Sequence, residues 1–477
     1  MMWIRRKAWI ACAVAVHSLL LLGGTSRANE LTAQQRVQLA AVIAAYEERS
    51  GAPAISVYVD QGGTGIFRAD VGLADVDARR AVGPESVYGI GSITKSFTAH
   101  AILTLVAADR LKLEDTVAAI LPDYHGPGAR VTIAQLLTHT SGIPNYVNEI
   151  PGLQPRLRRS EMQRADVLAT FEPLPLLFEP GSRWSYSNSG YYLLGLIVER
   201  VSGKSYYDYV HDDILQPLGI TRVWSGDDRE IVPMRVHGYD WGAHGLENAT
   251  PWFYLVPFSA GSLLTTSEEL ARYRRAMFTS PAVPARVREL MTTEVPLTDG
   301  ESTGYTLGAI EKSQFGGNFK YAHSGEIWGY AASHAYYPTR DTTIVVLTNR
   351  KGSLLTPVSL ERSIARILFD IPAPVIEDKK LSAKDAMRYS GLYTLGIKRI
   401  GPPTLSFADR NGRLYFAFGT VSDPEKMIKL DRAGPDRFVL ADDPETSFEF
   451  TSSAPRAPAN QVVLEALNGQ FAATRTH

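Results

Sequence analysis

The sequence predicts an α+β fold: an antiparallel sheet flanked by helices, with a helical insertion, followed by a small C-terminal antiparallel β-barrel. Three observations carry this. Strand signals stand at both ends of the region up to about residue 370, and a helix-rich middle (about 115–300) separates them. A sheet built from both ends, with the insertion packed between, is the arrangement that buries the apolar faces. Pro-rich Asp370-Ile371-Pro372-Ala373-Pro374, followed by Asp378-Lys379-Lys380, then breaks the pattern as a linker. Beyond about 383, short strands recur every 8–12 residues with turn pairs Asn411-Gly412 and Asn468-Gly469, the texture of a small barrel or sandwich.

Taken in order, residues 31–50 form an amphipathic helix, with Leu39, Val42, Ile43 and Tyr46 at helical spacing. Residues 54–59 and 65–69 read as strands joined by the turn Gln61-Gly62-Gly63. A helix follows Gly91-Ser92 through Phe97, Ile102, Leu103 and Val106. Thr132 caps another that holds Leu136 and Leu137 and stops at Ser141-Gly142, with Pro144 beyond. Strands are expected at 305–310, 319–322, 329–337 and 343–348, and a helix at 358–369. Seven more strands follow at 391–393, 404–407, 413–418, 427–430, 438–440, 448–450 and 462–467. The expected organisation is 29–372 as one large unit, 373–382 as linker and 383–477 as the barrel.

The first 28 residues stand apart. Arg5, Arg6 and Lys7 precede an apolar run from Ala8 to Leu22, and small residues at Ser26 and Ala28 follow. This is the pattern of a secretory signal cleaved after Ala28, and the run is shorter than the roughly 20 residues a spanning helix needs. The mature chain is therefore expected to be periplasmic or secreted, with no membrane span. Loss of Arg5, Arg6, Lys7 and Arg27 takes the formal net charge from -1 to -5, so no basic field points to nucleic acid. Cys12, the single cysteine, leaves with the signal, which excludes a disulfide, a thiol nucleophile and a Cys-held metal. No repeat or metal-binding tract stands out, and neither a metal nor a cofactor is expected. The oligomeric state is left open.

Three short runs carry candidate chemistry. Ser92-Ile93-Thr94-Lys95 is the one place where a Lys follows a Ser by three residues. That spacing lets both side chains point the same way from a helix start, so a Lys held neutral can take the serine proton. Free N–H groups at the same helix start favour negative charge on a substrate oxygen. Alone, Ser92 reads as a helix cap and Lys95 as a solvated side chain. Tyr186-Ser187-Asn188 offers a phenol and an amide, mounted between the Glu179-Pro180-Gly181 turn and a Leu-rich helix. Tyr146-Val147-Asn148 has the same spacing but sits in a loop. His323-Ser324-Gly325 ends the predicted strand 319–322, where a small residue and a Gly leave room for a substrate backbone along the strand edge, and the N–H of Glu326 follows. Alone, that tripeptide reads as an incidental surface His. His139 raises a Ser-His-Asp triad as an alternative, but Gly89-Ile90-Gly91-Ser92 lacks the nucleophile-elbow pattern, and a structural role at a helix end fits His139 better.

In this order, Ser92-x-x-Lys95, Tyr186-x-Asn188 and His323-Ser324-Gly325 resemble the serine β-lactamase and penicillin-binding DD-peptidase superfamily. Tyr-x-Asn makes the chain similar to the class C branch with its esterases and D-amino-acid peptidases. The phrases Leu136-Leu137-Thr138-His139-Thr140-Ser141-Gly142-Ile143-Pro144, Ser259-Ala260-Gly261-Ser262-Leu263 and Gly329-Tyr330 add to the likeness, which covers about 35–370. Residues 385–477 resemble, more weakly, a lipocalin-like extension. The resemblance implies that Ser92 is acylated, Lys95 accepts its proton, Tyr186 shuttles protons, and Asn188, His323, Ser324 and Gly325 bind substrate. The oxyanion hole would be the N–H groups of Ser92 and Glu326. His323 departs from the Lys common among β-lactamases, and a mostly neutral imidazole anchors a carboxylate less firmly. That shifts the expected activity toward an esterase or D-amino-acid/DD-peptidase type of serine hydrolase, acting on a small-molecule, peptide or ester substrate, and away from a class C-like β-lactamase. Arg183 and Arg350 are candidates for the missing charge. The alternative of another class is a non-catalytic penicillin-binding or ligand-sensing protein with the barrel as its binding module. As every candidate catalytic residue precedes 330, the barrel is expected to shape or cover the site mouth.

Overall fold

The computed structural model describes residues 30–147, 162–227, 229–250, 253–353, 355–395, 404–421, 426–454, 457–466 and 469–476. The signal reading of 1–28 and the competing Asn148 lie outside them. Helix α1 (Ala33–Ser50) begins at a capping box, Thr32 with Gln35, and ends where Gly51 turns left-handed at φ 62°. Strands β1 (Ala54–Gln61) and β2 (Thr64–Asp75) form the expected hairpin, and β3 (Arg80–Ala81) continues it. Helix α2 (Thr94–Ala107) carries Lys95, α3 (Asn188–Ser202) carries Asn188, and α4 (Ser267–Thr279) packs on the sheet. The C-terminal half of the sheet is β4 (Glu311–Phe315), β5 (Asn318–Ile327), β6 (Tyr330–Tyr337) and β7 (Thr342–Thr348), followed by α5 (Pro357–Leu368).

These strands form one seven-stranded sheet in the order β3-β2-β1-β7-β6-β5-β4. Its two halves join where β1 pairs antiparallel with β7, Ile55 opposite Thr348. Ile55, Val57 and Val59 of β1, with Ala335 and Tyr337 of β6, pack one face against α1 and α5. Ala332 of β6, with Val345 and Leu347 of β7, packs the other against α2, α3 and α4. The alternation of strand side chains thus sorts the sequence into two cores, and Ser92, the candidate nucleophile, lies on the side of the second.

Two strand expectations are corrected. Residues 305–310 hold isolated bridges at Tyr305 and Thr306 and then a turn, because Ala309 takes a left-handed φ of 56°. The strand expected at 319–322 does not end there: β5 runs on through His323-Ser324-Gly325 to Ile327, so the tripeptide is mid-strand, paired with β6. Strand β4 had no signal in sequence.

The C-terminal region is a closed antiparallel barrel of eight strands: β8 (Gly391–Leu395), β9 (Thr404–Arg410), β10 (Arg413–Phe418), β11 (Ile428–Arg432), β12 (Arg437–Leu440), β13 (Asp443–Ser452), β14 (Ala459–Ala466) and β15 (Gly469–Thr476). The eighth strand, absent from the sequence reading, closes the barrel by pairing with β8. Phe407, Phe416, Phe448 and Phe450 fill its interior, and α6 (Ala383–Tyr389), also unforeseen, sets Tyr389 against Phe438 and Phe450. Among the described residues, these aromatic side chains occupy the barrel interior, which does not favour the binding-module alternative. The barrel docks on α5. Ser359 donates to Asp443 at 2.7 Å, Arg362 to the Glu445 carbonyl at 2.9 Å, and Arg366 grips the Glu445 carboxylate at 2.9 and 2.6 Å. It also meets β4. Since α5 covers the sheet face away from Ser92, these contacts do not support the expected role at the site mouth.

Candidate active site

The position of the candidate nucleophile, Ser92, is built by two facing glycines. Gly91, at φ 51°, opens a single 3-10 turn (Gly91–Ile93) that runs into α2. A Cβ on Gly91 would stand 2.7 Å from the backbone N, C and O of Glu326. A Cβ on Gly325 would stand 2.1 Å from the Ile90 carbonyl oxygen and 2.9 Å from the Ser92 nitrogen. Only glycines let β5 lie this close to the Ser92 turn, which sets the backbone of Glu326 beside that of Ser92. Ser92 itself is half-buried.

Lys95, one turn on, is wholly buried. Its Nζ lies 3.2 Å from Ser92 Oγ, 2.8 Å from Asn188 Oδ1 and 2.6 Å from the Ala260 carbonyl. Among the described residues no acid pairs with it, and burial holds its pKa well below that of an ordinary lysine. The contact set suits the neutral amine. Two of the three partners accept only, matching the two N–H bonds of an NH2 group, and the lone pair is left for the Ser92 hydroxyl to donate into. The ring of Tyr186 lies under Nζ at 4.9 Å to its centroid. The Tyr186 hydroxyl is buried; desolvation raises its pKa, and Ser92 beside it pulls the other way.

Each side chain has a support that sequence alone did not reveal. Asn145 Oδ1 accepts from Asn188 Nδ2 at 3.1 Å, which turns Asn188 Oδ1 toward Lys95. Ser187 N–H donates to His139 Nδ1 at 3.1 Å, so His139 pins the start of α3, and its ring packs 4.3 Å from that of Tyr186. This is the structural role expected for it. Ala260, in the short helix Phe258–Gly261, gives the Ser259-Ala260-Gly261 phrase a function: its carbonyl holds Lys95. Tyr146, the competitor to Tyr186, is buried elsewhere and donates to the Val256 carbonyl at 2.5 Å.

His323 is not a surface residue. It is buried, its Nδ1–H donates to the Ser324 carbonyl at 2.5 Å, and its Nε2 accepts from the Tyr305 hydroxyl at 3.0 Å. Burial above all, with the Arg274 charge adding to it, pushes its pKa down to about 3. It is a neutral ring with both nitrogens engaged. By strand alternation Ser324 lies on the opposite face of β5 from His323 and Gly325. Arg350 is committed elsewhere, donating to the Ser50 carbonyl and stacking on Trp241, and Arg183 is exposed. The sequence reading also passed over a Gly-x-Ser-x-Gly run, Gly300-Glu301-Ser302-Thr303-Gly304. It is an exposed loop whose Ser302 hydroxyl donates to Glu294, without the strand-to-helix elbow that chemistry requires. Among the described residues, no cluster of His, Cys, Asp and Glu is arranged to hold a metal, and no helix is long and apolar enough to cross a membrane.

Residues 39–369 match the family model described as Beta-lactamase. A penicillin-binding protein of Bacillus subtilis (strain 168) is 29% identical over 361 residues, spanning 71% of this chain and 79% of that protein. Against Protein flp of Staphylococcus aureus (strain MRSA252), 27% identical, the chain spans 64% of the relative's length. In structure, the octameric penicillin-binding protein homologue from Pyrococcus abyssi matches with a TM-score of 0.62 at 24% identity, covering 92% of this chain and 99% of that one. The D-amino acid amidase from Ochrobactrum anthropi SV3 matches with a TM-score of 0.61 at 19% identity over 71% of this chain and 99% of that one, a likeness of fold. With matching sequence across most of its length and the Ser92–Lys95–Tyr186–Asn188 cluster assembled on that fold, the chain belongs to the β-lactamase family.

Proposed function

We propose that the protein is a serine hydrolase that cleaves an uncharged ester or amide through an acyl-enzyme on Ser92. The observation that carries this is the Lys95 Nζ, buried, without an acid partner among the described residues, and 3.2 Å from Ser92 Oγ, where a neutral amine can take the serine proton. In the proposed reaction, Ser92 Oγ attacks the substrate carbonyl while its proton passes to Lys95. The oxyanion is held by the N–H groups of Ser92 and Glu326, and Tyr186 returns a proton to the leaving group. Asn188 positions Lys95 and the acyl group, and β5 at Gly325 offers the edge for the substrate backbone. Water then cleaves the acyl-enzyme with the same groups acting in reverse.

The preference for an uncharged leaving side rests on His323. Neither ring nitrogen is left to bind a carboxylate, and the ring carries no charge above about pH 3. A terminal carboxylate, as in a D-Ala-D-Ala peptide or an opened β-lactam substrate, meets no cation there, whereas a p-nitrophenyl ester or a D-amino acid amide needs none. In a turnover panel, p-nitrophenyl esters and D-amino acid amides should exceed a D-Ala-D-Ala peptide and a chromogenic cephalosporin by at least ~10-fold in kcat/KM, about the value of one lost charge-assisted contact. The reverse order would sink the substrate assignment. A folded protein that is neither labelled by a fluorophosphonate probe nor active on any of the four would favour the non-catalytic alternative.

We also read the protein as exported, to the periplasm or the medium, on the basic, apolar and small-residue succession of 1–28. Sequencing the N-terminus of the exported protein should find Asn29 first; a cytoplasmic protein beginning at Met1 would refute this.

A further inference from the structure

The sheet face that carries the nucleophile also carries a row of four buried basic side chains. Lys95 is on α2, His323 on β5, and His334 directly opposite it on β6. Arg274, on α4, completes the row: its Nη2 lies 3.1 Å from His334 Nε2. Among the described residues none of the four forms an ion pair with an acid. A guanidinium only donates, so His334 Nε2 must accept, which makes His334 neutral with its hydrogen on Nδ1. His323 is in the same tautomer, fixed by the Ser324 carbonyl and the Tyr305 hydroxyl. The amine of Lys95 is neutral for the reasons given above. One charge therefore remains in the row, on Arg274, which stays protonated at neutral pH although burial pushes its pKa down to about 9.

That charge is poorly provided for as a structural element. The Arg274 side chain is wholly buried, its Nε has no partner, and its other contacts are Met277 Sδ at 3.8 Å and the face of Phe278 at 5.8 Å. The groups facing it are Tyr273 from α4, His334 from β6, His323 from β5 and Tyr305 from the loop ahead of β4, none of them acidic at neutral pH. An unpaired buried cation is expensive, and such breaches of local rule concentrate at working sites.

We propose that Arg274 is the fixed cation of this site, a positioning residue that acts on the Ser92–Lys95 centre through His334 and His323. It occupies the electrostatic place that His323 cannot fill, from behind the wall and out of reach of substrate. A positive charge set in a low-dielectric wall opposes protonation of the bases in front of it and favours the negative charge that develops on the substrate oxygen during acylation. The Arg274 charge thereby adds to burial, the main cause of the depressed Lys95 pKa, in keeping Lys95 free to accept the serine proton.

This inference rests on the serine-hydrolase reading, and one experiment separates the two. The rate of fluorophosphonate labelling of Ser92 is measured from pH 4 to 10 for wild type, Arg274→Met and Arg274→Lys, with melting temperature and p-nitrophenyl acetate kinetics alongside. Arg274→Met should melt no lower than wild type, since an apolar chain of similar length replaces a buried ion. Its acidic limb should move to higher pH by about one unit, and its kcat should fall about 10-fold with KM little changed. Arg274→Lys should move the limb in the same direction, since an amine buried at 274 without an acid is held neutral as it is at 95. A limb or a kcat unmoved in Arg274→Met would overturn the proposal. If Arg274→Met does not fold, Arg274→Gln is read by the same criteria. A folded wild type that takes no label would fail the hydrolase reading instead.

Discussion

Lys95→Met should abolish most activity and stabilise the protein at the same time. The methionine fills the buried volume but offers no lone pair to Ser92, and the loss of a positioned base costs on the order of 10^2–10^4 in rate. Stability runs the other way. Lys95 is neutral in the fold and protonated when unfolded, so between its depressed folded pKa and the ordinary value near 10.5 the unfolded state holds the extra proton. Folding stability therefore rises with pH across that window and is lowest below it. The substitution removes this term, so the melting temperature should exceed that of wild type at neutral pH, with a flatter dependence on pH. Labelling rate and melting curves from pH 6 to 10 check both halves. A variant fully active with Met at 95 would contradict the assignment of Lys95 as base, and one that melts below wild type or fails to fold would contradict the predicted stabilisation.

The second large effect lies on the opposite face of the sheet. Lys320 of β5 and Glu361 of α5 form an ion pair at 2.7 Å with neither side chain exposed, and the Tyr337 hydroxyl donates to the same carboxylate at 2.6 Å. Glu361→Ala leaves the Lys320 ammonium buried without a partner, at a cost of about 3–5 kcal/mol. Replacing both, as Lys320→Met with Glu361→Leu, removes the two desolvation costs together and should restore stability to near the wild-type value. Urea denaturation of the two variants tests this. A single variant within about 1 kcal/mol of wild type would mean that water or a neighbour replaces the carboxylate. Lys320 lies three residues before His323 on the same strand, so the variants also show whether support from this face is needed to hold the His323-Ser324-Gly325 segment in place.

What was legible in sequence follows from locality. Helix caps, the β1–β2 turn and the strand texture of the barrel depend on residues within a few positions, and Thr132, Gly62 and Asn411-Gly412 marked them correctly. The lone Ser-x-x-Lys was equally local, because one helical turn brings Lys95 under Ser92 whatever the rest of the chain does. Strand β4 left no pattern because Glu311-Lys312-Ser313-Gln314 makes a polar edge strand, held by hairpin pairing with β5; α6 and the closing strand β15 left none because their partners, the barrel interior and β8, are distant in sequence.

The sequence by itself determined the fold class, the family likeness and the set Ser92, Lys95, Tyr186 and Asn188. Tertiary structure alone decided the protonation of that set. A lysine or histidine is neutral or charged according to its desolvation and its neighbours, and those neighbours come from across the chain: Ala260 and Asn188 for Lys95, Tyr305 for His323, Arg274 for His334. His323 looked in sequence like a weak cation on a surface. Packed between Tyr305 and its own strand it is a neutral wall, and the charge it lacks sits one row behind it on Arg274.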